Sequence, residues 1–188
     1  MGTSAGGIPA GGALVRRPDL FAAVVARVPV MDMLRAEFSQ NGPANIPEFG
    51  SIATPQGFEA LRVMSAYHMV KDGTPYPAVL LTTGMNDPRV DPWQPGKMAA
   101  RLQEATTSGK PVLLRVDFAS GHGRGTTRTQ REEELADVYS FLLWQFGDAQ
   151  FQPAPPPAPP APPAPPVPAP APAAPVAPPA APPAESVK

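Results

Sequence analysis

Cysteine is absent from this chain of 188 residues, and histidine occurs only twice. The lack of cysteine excludes disulfide bonds and thiolate chemistry, but it leaves both a cytoplasmic and a periplasmic location open. With two histidines and scattered carboxylates, the sequence shows no spacing typical of metal ligands. We therefore expect neither a metal ion nor an organic cofactor.

A strong charge of one sign and long apolar runs are also missing. The chain carries 15 Lys and Arg against 16 Asp and Glu, a net charge of −1. This balance gives no electrostatic basis for binding nucleic acid or a membrane surface. No apolar stretch approaches the roughly 18 residues that cross a bilayer, so we expect no membrane span.

Proline, in contrast, is abundant, and from Pro153 onward the sequence is almost wholly Pro and Ala. Such a segment has few N–H groups and few side chains to bury, which predicts a disordered or polyproline II tail. We therefore divide the chain into a domain over residues 1–148 and a Pro/Ala-rich tail over 149–188. The tail is a spacer, a ligand for proline-binding modules, or a segment without a dedicated partner. The absence of the basic residues that orient such ligands favours the last of these.

The first part alternates apolar strands with helical patterns. Strands are predicted over 22–28, 78–82 and 112–118, and helices over 5–17, 55–64, 95–106 and 129–146. This alternation indicates a parallel α/β sheet with right-handed crossovers. In the last helix we expect Leu135, Val138, Leu142 and Phe146 to face the core and residues 131–134 to be exposed.

A serine flanked by glycines opens the chain, in Gly2-Thr3-Ser4-Ala5-Gly6. The pattern G-x-S-x-G is typical of the sharp strand-to-helix turn that presents a nucleophilic hydroxyl. By itself the motif is a weak signal, and a flexible terminal tail is the alternative.

Two later residues complete a pattern with Ser4. Asp87 follows the predicted strand 78–82, and His122 follows the predicted strand 112–118. The order serine, acid, histidine is that of the α/β-hydrolase triad, and parallel strands place their sites at their carboxyl ends. We therefore predict Ser4 as nucleophile, Asp87 as acid and His122 as base.

Three other residues are rivals for these roles. Asp91 and Asp117 are alternative acids, and His68 is the other histidine. The Asp-Pro-Arg-Val context favours Asp87 over Asp91, and we expect His68 to serve in packing.

From Gly2 to about Gly147 the chain resembles the C-terminal part of the catalytic domain of prolyl oligopeptidase-type serine peptidases. The matching stretches are Gly2 to Gly7, Arg17 to Phe21, Val30 to Met33, Tyr76 to Leu81, Asp87 to Val90 and Gly121 to Gly123.

The resemblance implies a partial α/β-hydrolase fold, formed by the last three parallel strands with flanking helices, that hydrolyses short peptides through an acyl-enzyme. It implies the Ala5 N–H as an oxyanion donor, Arg89 as a donor to a peptide carbonyl, and Val90 and Phe49 as substrate-binding residues. The loop 42–50 contains no Trp to stack on a substrate proline, and Phe49 is its only aromatic residue.

The family also has parts that this sequence does not show. They are a β-propeller, the strand that carries the serine, and the upstream segment that supplies a second oxyanion donor. We therefore expect Ser4 at a frayed terminus and little activity from this chain alone. The alternative is a non-catalytic interaction protein, in which a relic hydrolase domain carries a Pro-rich binding tail.

Overall fold

The computed structural model describes residues 1–123 and 126–154. The chain divides into a compact unit over Met1–Pro153 and a second unit over Ala154–Lys188. The extended tail predicted from the Pro/Ala composition falls on residues 155–188, outside the described residues.

Within the described residues, the sheet has four parallel strands whose spatial order follows the chain order. They are β1 (Gly2–Thr3), β2 (Ala23–Arg27), β3 (Ala78–Gly84) and β4 (Val112–Asp117). The predicted α/β class and the three predicted strands are confirmed. The expectation that the strand before the serine is missing is wrong for its last two residues, because Gly2 pairs with Ala26 and Thr3 with Arg27.

Helices connect and cover these strands. They are α1 (Gly7–Arg16), α2 (Met33–Ala36), α3 (Gly42–Phe49), α4 (Pro55–Met64), α5 (Ala66–Met69), α6 (Trp93–Ala105) and α7 (Arg128–Gln145). The predicted loop 42–50 is therefore helical. Pro43 lies in its first turn, where a missing N–H costs little, and Gly50 ends it with a φ of 94°.

The two faces of the sheet bury different residues because side chains alternate along each strand. Val79 and Leu81 face the cluster that includes Leu14 of α1 and Met98 of α6. On the other face, Val25 and Leu80 pack with Val138 and Phe141 of α7. All seven residues of β3 are buried, as expected of a central parallel strand.

Helix α7 differs from its prediction in two places. Phe146 follows the last helical residue and is 65% exposed, whereas Phe141 fills the core position at 4%. Glu134, predicted to be exposed, is partly buried beside Arg27. No helix among residues 1–123 and 126–154 combines the length and the apolar character needed to cross a membrane.

Candidate active site

Ser4 follows β1 directly and begins a 3₁₀ turn, Ser4–Gly6, that leads into α1. Its φ of 56° is a left-handed conformation that costs energy in a residue other than glycine. A Cβ on Gly2 would lie 2.3 Å from the Gly6 carbonyl oxygen, whereas one on Gly6 would meet nothing within 4 Å. The turn therefore requires glycine at position 2, where the backbones approach closely.

The Ser4 backbone is hydrogen-bonded to the segment that follows β2. The Val30 N–H donates a hydrogen bond to the Ser4 carbonyl at 3.0 Å. A Cβ on Gly7 would lie 2.5 Å from Pro29 Cβ, so the start of α1 touches the segment that leads to Val30. The expectation of a frayed serine is therefore wrong for this structure, because the segment after β2 holds the turn in place.

Asp87 lies in the loop after β3 and is 5% exposed. Its Oδ1 accepts hydrogen bonds from the Arg89 N–H at 2.8 Å and the Val90 N–H at 3.0 Å. Burial acts to raise the pKa of this carboxyl, but the hydrogen bonds from His122, Val90 and Arg89 outweigh it and hold the pKa below its ordinary value. Asp87 is thus oriented as a carboxylate.

His122 lies between the other two groups. Its Nδ1 is 2.7 Å from Asp87 Oδ2, and its Nε2 is 2.8 Å from Ser4 Oγ. A carboxylate at Nδ1 fixes the proton there, which leaves Nε2 to accept the hydrogen bond from the serine hydroxyl. The arrangement can therefore remove a proton from Ser4 and stabilise the charged imidazole.

The loops that carry Asp87 and His122 are joined through their backbones. The Asn86 N–H donates to the Ser120 carbonyl at 3.0 Å, and Asn86 Nδ2 donates to the Phe118 carbonyl at 3.1 Å. A Cβ on Gly84 would lie 2.3 Å from the Gly121 carbonyl oxygen. Glycine at position 84 therefore permits the close approach of the loops that carry Asp87 and His122, a role that the sequence analysis did not predict.

The rival residues have other partners. Asp117 Oδ1 accepts from the Ala119 and Ser120 N–H groups, which shapes the loop after β4. His68 Nδ1 lies 2.8 Å from Ser65 Oγ, and the imidazole stacks edge-on against Tyr67. The Asp91 carbonyl accepts from the Gln94 N–H at the start of α6.

A small pocket beside α3 is connected to the Ser4 turn through Val30, a lining residue whose N–H donates to the Ser4 carbonyl. Its lining includes Val30, Met33, Ile46, Phe49, Arg89 and Gln94. The predicted substrate-binding residues Phe49 and Arg89 thus line one pocket. Val90 is 4% exposed, and its N–H donates to Asp87, so its backbone helps to orient that carboxylate. Ala5, the second residue of the turn that Ser4 begins, is exposed.

Gln94 is a pocket residue that the sequence analysis did not single out. Its Oε1 accepts hydrogen bonds from backbone N–H groups 63 and 62 residues earlier in the chain. No local pattern signals so distant a contact. Among residues 1–123 and 126–154, no three His, Asp or Glu side chains converge in a way that would hold a metal ion.

Comparison with known proteins agrees with this geometry. The family model described as the prolyl oligopeptidase family matches residues 1–149. A prolyl endopeptidase of Dictyostelium discoideum is 39% identical over 146 residues, which cover 75% of this chain and 19% of that protein. A dipeptidyl aminopeptidase BI of Pseudoxanthomonas mexicana is 29% identical over 152 residues, which cover 79% of this chain and 21% of that protein.

Solved structures give the same result. A prolyl endopeptidase structure matches with a TM-score of 0.72 and 37% identity, covering 76% of this chain and 21% of that one. Oligopeptidase B from Leishmania major matches with a TM-score of 0.72 and 29% identity, covering 77% of this chain and 20% of that one. The chain thus spans about a fifth of the length of the relatives it matches. Since the family model covers nearly all of the described residues, the chain belongs to the prolyl oligopeptidase family.

Proposed function

We propose that this chain carries the catalytic residues of a serine peptidase that hydrolyses short peptides through an acyl-enzyme. The observation that supports this most is the continuous path of hydrogen bonds from Ser4 Oγ to His122 Nε2 and from His122 Nδ1 to Asp87 Oδ2. Peptidases among the relatives favour a peptide as the acyl donor, since a triad by itself does not choose its acyl group.

The proposed reaction uses both nitrogens of the His122 imidazole. His122 Nε2 takes the proton of the Ser4 hydroxyl as Oγ attacks the substrate carbonyl, and Asp87 stabilises the resulting imidazolium. The Ala5 N–H donates to the developing oxyanion. His122 then returns the proton to the leaving amine, which departs and leaves the acyl group on Ser4. Water, deprotonated by His122, attacks this ester and releases the acid and the free serine.

We assign the pocket lined by Phe49 and Arg89 to the side chain of the residue that supplies the scissile carbonyl. The position of Val30 supports this assignment, because Val30 lines the pocket and its N–H donates to the Ser4 carbonyl. Arg89 is exposed, and its planar guanidinium suits a peptide carbonyl oxygen next to the scissile bond.

We further propose that the 188-residue chain by itself turns over slowly. Among the described residues, the Ala5 N–H is the single oxyanion donor that we assign. The loss of one oxyanion donor costs about 10²–10³ in rate in serine peptidases.

Hydrolysis of a short chromogenic peptide ester by the purified chain tests this proposal. We expect slow release of the chromophore that the substitution Ser4→Ala abolishes. If Ser4→Ala and the unchanged chain release it equally, the proposed chemistry is wrong. Rates like those of an intact serine peptidase would instead contradict the proposed need for a second donor.

A further inference from the structure

Gln94 connects the pocket to the segment that holds the nucleophile. The side chain lies at the second position of α6 and is 2% exposed. Its Oε1 accepts from the Met31 N–H at 2.9 Å and from the Asp32 N–H at 3.1 Å. The preceding residue, Val30, lines the pocket and donates its own N–H to the Ser4 carbonyl. One buried oxygen therefore holds the segment that both lines the pocket, through Val30, and bonds to Ser4.

The other end of the Gln94 amide is the nitrogen Nε2, a hydrogen-bond donor. Within the described residues, both hydrogen bonds that the structure gives to this side chain are made by Oε1. Because Gln94 lines the pocket, its Nε2 supplies hydrogen-bond donors to an otherwise mainly apolar surface that includes Met33 and Phe49. A buried polar group of this kind discriminates between side chains more strongly than apolar contacts do.

The pocket lining also contains one carboxylate, that of Glu37, which accepts a hydrogen bond from the backbone. Glu37 lines the pocket, and its Oε2 accepts from the Ile52 N–H at 3.2 Å. Glu37 thereby joins α2 to the segment after α3.

We infer that Gln94 is a specificity-determining residue for the pocket beside α3. Its Oε1 fixes the pocket wall, and its neutral amide leaves the Glu37 carboxylate and the Arg89 guanidinium as the charged groups of the pocket lining. A second carboxylate at position 94 would therefore shift the preference toward cationic side chains at the residue that supplies the scissile carbonyl. The inference rests on the proposed function, because it assumes that the pocket receives this side chain of a peptide substrate.

Two substitutions separate the roles of the two amide atoms. Gln94→Glu keeps acceptor oxygens for Met31 and Asp32 but replaces the donor with a negative charge. Gln94→Met keeps the length of the side chain and removes both polar atoms. Gln103→Met is the matched control, because Gln103 lies on the exposed face of α6 and donates to the Val112 carbonyl at 2.9 Å.

The readout is the rate at which two peptidyl diphenyl phosphonates label Ser4, one with lysine and one with norleucine at the position next to phosphorus. A carboxylate at contact distance attracts an ammonium group, so we expect Gln94→Glu to raise the lysine-to-norleucine ratio at least about tenfold, which corresponds to about 1.4 kcal/mol. The change should lie mainly in the concentration for half-maximal labelling, because the added charge acts on the bound side chain. Gln103→Met should keep the ratio of the unchanged chain. An unchanged ratio in Gln94→Glu would overturn the inference.

Amide hydrogen exchange provides a measurement that does not need activity. In Gln94→Met we expect faster exchange of the Met31 and Asp32 amides, with protection retained in β3. If the Met31 and Asp32 amides keep the protection that they have in the unchanged chain, the role assigned to Oε1 is wrong. If no probe labels the unchanged chain, the proposed function fails, and exchange at Met31 and Asp32 alone then decides whether Gln94 positions the wall.

Discussion

The guanidinium of Arg27 forms two parallel hydrogen bonds with the carboxylate of Glu134, at 3.0 and 2.5 Å. The Thr82 hydroxyl donates to the same carboxylate at 2.7 Å. Arg27 ends β2 opposite Thr3, the residue before Ser4, and Glu134 lies on α7, the helix that follows the His122 loop. The pair therefore joins the strand beside the serine to the helix beyond the histidine, over 107 residues of sequence.

Loss of the Glu134 carboxylate should destabilise the fold. In Glu134→Ala the Arg27 guanidinium and the Thr82 hydroxyl lose their partner in a partly buried place, which we expect to cost about 1–3 kcal/mol. Glu132→Ala on the same helix is the control, because its pair with Arg128 is exposed and should contribute less than about 0.5 kcal/mol. Urea unfolding of both variants measures the difference. Equal effects would show that Arg27 and Glu134 do not join the two elements.

The same carboxylate predicts a dependence of stability on pH. Burial acts to raise the pKa of Glu134, but hydrogen bonds from Arg27 and Thr82 outweigh it and leave the pKa below its ordinary value. A lowered pKa contributes stability above the unfolded value of about 4.3, and this contribution is lost as pH falls toward the lower folded value.

The free energy of unfolding, measured from pH 7 to pH 3, should therefore decrease in the lower half of this range. Glu134→Gln should flatten that decrease, since glutamine does not titrate. The pKa of Asp87 is shifted in the same direction, so some decrease should persist in the variant. If the free energy of unfolding of Glu134→Gln falls with pH as steeply as that of the unchanged chain, Glu134 does not contribute to the decrease.

Asp87→Asn should keep a hydrogen bond to His122 Nδ1 but reverse its direction. An amide can donate to Nδ1, which moves the imidazole proton to Nε2 and removes the acceptor for Ser4. We expect Ser4 labelling by a phosphonate to slow by about 10³–10⁴-fold. Asp91→Asn, four residues further on, is the matched control and should label like the unchanged chain. Equal losses in both variants would contradict the choice of Asp87 as the acid.

Gly7→Ala should weaken the contact between α1 and the segment after β2. The added Cβ would lie 2.5 Å from Pro29 Cβ and 2.9 Å from Pro29 Cα, a clash that requires backbone movement. We expect a loss of about 1–3 kcal/mol in the free energy of unfolding. Gly6→Ala is the paired control, since its Cβ would meet nothing within 4 Å and alanine favours the helical backbone there. Thermal unfolding of both chains provides the comparison.

Local signals explain which elements the sequence predicts well. Helix α4 begins at Pro55, where the Thr54 side chain accepts from the Gly57 N–H, and it ends at the predicted residue. Strand β3 is a continuous apolar run, as is typical of a strand buried on both faces. The order and context of Ser4, Asp87 and His122 are equally visible in the sequence, because each follows a strand or a motif.

The remaining features depend on contacts between distant residues. Helix α3 escapes prediction because Pro47 has the appearance of a helix breaker, although it lies near the end of the helix. The hydrogen bonds of Gln94 and the pairing of Arg27 with Glu134 join residues more than 60 positions apart. Such contacts are set by the packing of the sheet, and no local pattern encodes them.

Peptide mapping by mass spectrometry after treatment with a peptidyl phosphonate tests the central claim most directly. If His122 and Asp87 activate Ser4, the adduct lies on Ser4 alone and is lost in His122→Ala, while Ser65 and the other serines stay unmodified. An adduct spread over several serines, or one on Ser4 that persists unchanged in His122→Ala, would contradict the account.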